Sequence, residues 1–218
     1  MSGIERREAL RILGGAPFAL AFAVTGAEAA EAHAHAQKAL AAAAKGGVYK
    51  PRFFTSHEWE TVRLLVDLLI PKDERSGSAT DAGVPEFMDF IMTDPMESDR
   101  RRESRQTAMR GGLAWIDAEC TKRFGHDLVN GTDAERKALL DDIAFSKKDE
   151  DDAAEGPRDL RVELRPGAAF FASFRDLTAS GFWSSRMGVE DLGYQGNTFV
   201  AEWKGCPPEA LGKLGIEG

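Results

Sequence analysis

Histidine and cysteine are the side chains best suited to general-base, nucleophilic or soft-metal chemistry near neutral pH, and this chain has four of the first and two of the second. His33 and His35 stand two residues apart in an Ala-rich tract. On a helix that spacing aims them to different sides, which is poor geometry for a shared metal. His57 falls in the expected first turn of a helix, where the positive dipole end disfavours its protonation, and it reads as a surface or interface residue. His126 is the other histidine outside the tract, so a Ser–His arrangement would have to use one of these two. Cys120 and Cys206 match no C-x-x-C spacing, and Cys120 lies on an apolar helix face that suits a buried thiol. The carboxylates Asp73, Glu74 and Asp81 lack the alternate-residue ligand order of a calcium loop. Asp141 and Asp142 sit side by side on a helix and diverge, which is unsuited to shared acid–base work. The sequence has no G-x-G-x-x-G after a strand, no P-loop, no C-x-x-C-H, no H-E-x-x-H and no G-x-S-x-G.

The elements that would position these groups are helical. Thr55 and Glu58 form a capping box before Trp59, Val62, Leu65, Val66 and Leu69, and Pro71 ends that helix. Lys72 to Gly83 reads as a loop, and Pro85 opens a short helix with Phe87, Phe90 and Ile91 inward. Asp99 to Phe124 reads as one long helix closed by Gly125. Its Gly111-Gly112 pair weakens it by ~1 kcal/mol per residue unless another helix crosses closely there. Thr132 and Glu135 make a second capping box. Lys147 to Asp159 is a charged loop, and Pro207 to Leu211 begins a final short helix. Strand signals are scarce, so the expected fold is all-α and loop-rich, with about five or six helices.

The densest aromatic and glycine stretch is Phe170 to Cys206. Its first part has helical spacing, with Gly181 at a C′ position. An irregular segment then carries Phe182, Trp183, Tyr194, Phe199 and Trp203 among Gly188, Gly193, Gly196 and Gly205. Such a segment packs tightly against something, either the protein's own core or a partner.

Length allows one domain with a sizeable core and an N-terminal extension. A net charge of −8 and a pI near 5.1 argue against a nucleic-acid partner. The one basic cluster, Arg100, Arg101, Arg102 and Arg105, is interleaved with Glu97, Asp99 and Glu103 and reads as a solvated helix face. Arg6 and Arg7 precede the modestly apolar run Ile12 to Val24, which fits a twin-arginine export signal and is too short to span a bilayer of ~30 Å. Small residues suggest cleavage at Ala27-Glu28-Ala29, with other choices up to Ala44. The expected division is therefore a signal over residues 1–29, an Ala-rich linker over 30–52 and a helical domain over 53–218. In an oxidising compartment, two cysteines alone suggest a Cys120–Cys206 disulfide.

G-F-W-S-S, then L-G-Y-Q-G-N and W-K-G-C-P, resemble the C-terminal signature of the gluconate 2-dehydrogenase subunit 3 family. Ile70-Pro71-Lys72-Asp73 followed by Ala82-Gly83-Val84 resembles that family's other hallmark. The chain departs from it at Ser76-Gly77-Ser78-Ala79 and at Trp183-Ser184, where the family often has Pro-Gly-Ala and Tyr-Thr. The resemblance implies a small, non-catalytic subunit of a periplasmic, flavin-dependent (GMC-type) sugar, polyol or glycoside dehydrogenase. It would serve export, folding and stability of that catalytic subunit. FAD would then sit in a larger partner and none in this chain, with a cytochrome c as a further electron-accepting partner and membrane association only through the complex. The expected partner interface comprises Phe182, Trp183, Gly193, Tyr194, Gly196, Asn197 and Trp203. Alternatives are a self-standing periplasmic enzyme, with a site between the aromatic loop and His57 or His126, and a sugar-binding protein.

Overall fold

Three of the helix starts are marked by the same exchange between residues three apart. The structure, a computed structural model, describes residues 22–144 and 163–194 together with 205, 206 and 212. Among these residues it is all-α, with no strand and seven helices: α1 (Gly26–Ala43), α2 (Ser56–Leu69), α3 (Val84–Thr93), α4 (Asp99–Phe124), α5 (Asp133–Ala144), α6 (Arg165–Trp183) and α7 (Arg186–Asp191). Reciprocal capping boxes open α1 (Thr25 with Glu28) and α2 (Thr55 with Glu58). Thr132 and Glu135 make the same exchange before α5. Gly125 closes α4 in the left-handed region at φ 86°. The charged run 147–159 and the helix expected from Pro207 lie outside the described residues.

α3 is the hub. Eight of its ten residues are buried, so it is covered on all sides. α1, α2, α4 and α6 all pack on it. α1 presents only the small side chains Ala32 and Ala36 as fully buried residues. That lets it lie close to the start of α3, where a Cβ on Gly83 would come within 3.1 Å of Leu40 Cδ1. The Ala-rich tract read as a linker thus includes a helix seated on the domain. Asp89, fully buried on α3, ties down the chain that follows α1. Its carboxylate accepts from the N–H groups of Arg52 and Phe53, both at 2.9 Å, and from the Tyr49 hydroxyl at 2.9 Å. A buried carboxylate is tolerable there because donors saturate it.

α6 brings three fully buried aromatic rings to the core, Phe170, Phe174 and Phe182, each worth ~2–3 kcal/mol. It interlocks with α4 in both directions. A Cβ at Gly112 on α4 would lie 1.9 Å from the Phe170 ring, and one at Gly167 on α6 would lie 2.0 Å from the Trp115 ring. The close crossing expected at Gly111-Gly112 is therefore made by α6.

Three expectations are corrected. Arg105 is not on a solvated face: it is fully buried, 2.9 Å from Glu28 and 3.3 Å from Glu97, and donates to the Ala23 carbonyl. Arg100 and Arg101 do stay exposed; Arg105 turns inward because two acids and a carbonyl meet it there. Gly181 does not end α6, which continues to Trp183. The missing Cβ at Gly181 is used for packing instead, since one would sit 3.1 Å from the Phe87 ring. The expected disulfide is absent: both thiols are free, Cys120 buried inside α4 and Cys206 exposed.

Candidate partner interface

Ser184 and Ser185 join the end of α6 to the start of α7, and Ser185 bonds to both helices. Ser185 is buried, accepts from the Gly188 N–H at 3.1 Å as N-cap of α7, and donates to the Phe182 carbonyl at 2.6 Å. α7 approaches so closely that a Cβ on Gly188 would lie 2.1 Å from the Phe182 carbonyl oxygen. α7 closes with a Schellman arrangement, in which Gly193 at φ 62° donates to Glu190 and Tyr194 donates to Val189. Gly193 is needed there for its left-handed backbone.

The loop before α3 clamps this corner. The Arg75 guanidinium donates to the Asp191 carbonyl, and its Nε lies 3.4 Å from the Asp191 carboxylate. Asp73 in turn accepts from the N–H groups of Arg75 and Ser76, and Asp81 accepts from that of Ser78. These carboxylates shape the loop itself. Among the described residues, no cluster of three or more His, Cys, Asp or Glu side chains is arranged to hold a metal. The two stretches singled out in the sequence, the acidic loop and the aromatic end, are thus joined in space.

On this fixed corner Trp183, Leu192 and Tyr194 are 40, 59 and 58 % exposed. Phe182 belongs to the core and meets Trp183 edge-on at 4.9 Å. Of the expected interface residues, the structure therefore places Trp183, Gly193 and Tyr194 at the surface and Phe182 beneath them. Gly196, Asn197 and Trp203, like Arg6 and Arg7, lie outside the described residues.

Among the described residues, the four histidines and Cys120 have other neighbours. His57 Nε2 is 2.7 Å from Asp117, and that bond raises the imidazole above its ordinary pKa, contrary to the dipole expectation. A carboxylate in direct contact outweighs a helix end. His126 faces Glu135 at 3.5 Å. Asp141 pairs with Lys137 and Asp142 with Arg123, so the adjacent acids do diverge. Burial pushes the Cys120 thiol up to about 12, which leaves it unreactive. A Ser–His contact does exist, between Ser184 and His33 at 2.8 Å, made by the tract that sequence reasoning set aside. The Ser184 hydroxyl also reaches the Ser180 carbonyl. The His33–Ser184 pair ties α1 to the end of α6.

No helix among the described residues is long and apolar enough to cross a membrane. No curated protein and no solved structure matches the chain. One family model does, over residues 56–201, and it is described as gluconate 2-dehydrogenase subunit 3.

Proposed function

The chain belongs to the gluconate 2-dehydrogenase subunit 3 family, and from that premise we propose that it is a non-catalytic small subunit. Its partner is a large, FAD-binding, GMC-type dehydrogenase of sugars, polyols or glycosides, exported with it to the periplasm by the twin-arginine route. The observation that carries this reading is the corner built from α6, α7 and the Arg75 loop, where Trp183, Leu192 and Tyr194 are exposed beside one another in the chain's aromatic end. Aromatic residues on a pre-ordered surface anchor interfaces well, because little conformational entropy is lost on docking. FAD is held by the partner, a cytochrome c accepts the electrons, and contact with the membrane runs through the complex.

Co-expression with the large subunit tests the interface. Trp183→Ala and Tyr194→Ala should each weaken co-purification by ~2 kcal/mol or more, roughly 30-fold, while far-UV circular dichroism stays native. Phe182→Ala is the contrast, since loss of that buried ring should unfold the chain. A folded Trp183→Ala, Tyr194→Ala double variant that still co-purifies quantitatively would remove this corner from the interface. Replacing Arg6 and Arg7 together by Lys should hold both subunits in the cytoplasm. Partner activity persisting in the periplasmic fraction would show that the partner carries its own export signal.

A further inference from the structure

We infer that residues 22–29 are a permanent part of the mature protein, so that any removal of the leader falls on the N-terminal side of Phe22 and not at Ala27-Glu28-Ala29. Four contacts bind this segment to the domain. Phe22 is 5 % exposed, with its ring edge-on to Phe170 at 6.3 Å. The Ala23 carbonyl accepts from Arg105 at 2.6 Å and from Arg101 at 2.9 Å. Thr25 and Glu28 cap the first turn of α1. Glu28 Oε1 lies 2.9 Å from the Arg105 guanidinium.

Cleavage after Ala29 would remove all four at once. Arg105, fully buried, would keep Glu97 as its one acidic neighbour, at 3.3 Å. Breaking a buried ion pair from one side is strongly destabilising, because a charge is left without its compensation. α1 would lose its N-cap and begin with a new α-ammonium group at the positive end of its dipole, which is unfavourable again. Cleavage further along, up to Ala44, would cut into α1 itself and uncover the face of α3 on which Ala32 and Ala36 rest. The small residues that resemble a processing site are instead the first turn of a packed helix.

Two measurements test this. The first is the N-terminal sequence and intact mass of the chain purified from its native host, expected to begin at or before Phe22. The second compares full-length protein with chains beginning at Phe22 and at Ala30. The Phe22 chain should melt like the full-length protein. The Ala30 chain should melt roughly 10 °C lower or fail to fold, and Arg105→Met in that background should recover part of the loss. Glu28→Gln in the full chain should lower the melting temperature by roughly 5 °C. A native N-terminus between Ala23 and Ala44, or an Ala30 chain as stable as the Phe22 chain, would overturn the inference. If the protein is found in the cytoplasm, the export reading fails, and the stability comparison still decides this one.

Discussion

A methyl group at position 112 is a sensitive probe of the core. Alanine should favour α4 by ~1 kcal/mol over glycine on propensity alone. The Phe170 ring stands 1.9 Å from where that methyl would go and is itself fully buried, so overpacking of ~1–3 kcal/mol opposes the gain. Gly112→Ala should therefore lose stability, by ~1 kcal/mol net, seen as a lower urea midpoint at an unchanged m-value. Thiol chemistry gives a second check. In the folded protein one cysteine, Cys206, should react with a thiol reagent while Cys120 is protected, and two should react after denaturation without reductant. At this scale the sequence was only partly legible. A glycine pair inside a helix marks a close approach, but nothing near it in the chain names the ring that fills the space. Arg105 was opaque for the same reason, since its main counter-ion, Glu28, lies far away in sequence and close in space.

Helix starts were the most legible elements, because a capping box is a local exchange between residues three apart. The one over Thr25 and Glu28 follows the same rule, within a stretch whose small residues also resemble a processing site. Contacts between helices are where pH acts. His57 on α2 pairs with Asp117 on α4, and Asp117 also accepts from the Leu128 N–H at 3.2 Å. The imidazole pKa is raised in the fold, so this pair contributes fully below the unfolded value near 6.5 and fades as pH rises through the folded value. The imidazole is partly exposed, which limits the effect to ~1 kcal/mol or less. Wild-type protein should lose that increment between neutral and mildly alkaline pH, and Asp117→Asn should not, as followed by denaturation midpoints. Glu28 works in the opposite direction. Burial pushes its carboxyl up, but hydrogen bonds with Thr25 and the Arg105 guanidinium outweigh this and hold it at about 2. Its contribution is present above about 4.5 and is lost as pH falls toward 2. Glu28→Gln should flatten that acid limb.

At the scale of the whole molecule, α3 and α6 form the centre and the other helices are laid around them. Hydrogen exchange should be slowest in those two helices and faster in α5, whose only fully buried side chains are Leu139 and Ile143. The helical class and the position of α4 were legible because periodicity and caps are written locally. The arrangement around α3 was not, since a short, evenly apolar segment does not declare which neighbours cover it. The crossing of α4 and α6 has one more consequence, for inheritance. Each helix keeps a glycine for the other's ring, Gly112 for Phe170 and Gly167 for Trp115. Neither glycine is free to vary while its ring stays, and a ring that shrinks leaves a void until its glycine grows. Among descendants of this chain the two positions of each pair should change together, so that evolution at this crossing proceeds in couples and the angle between the helices is passed on intact.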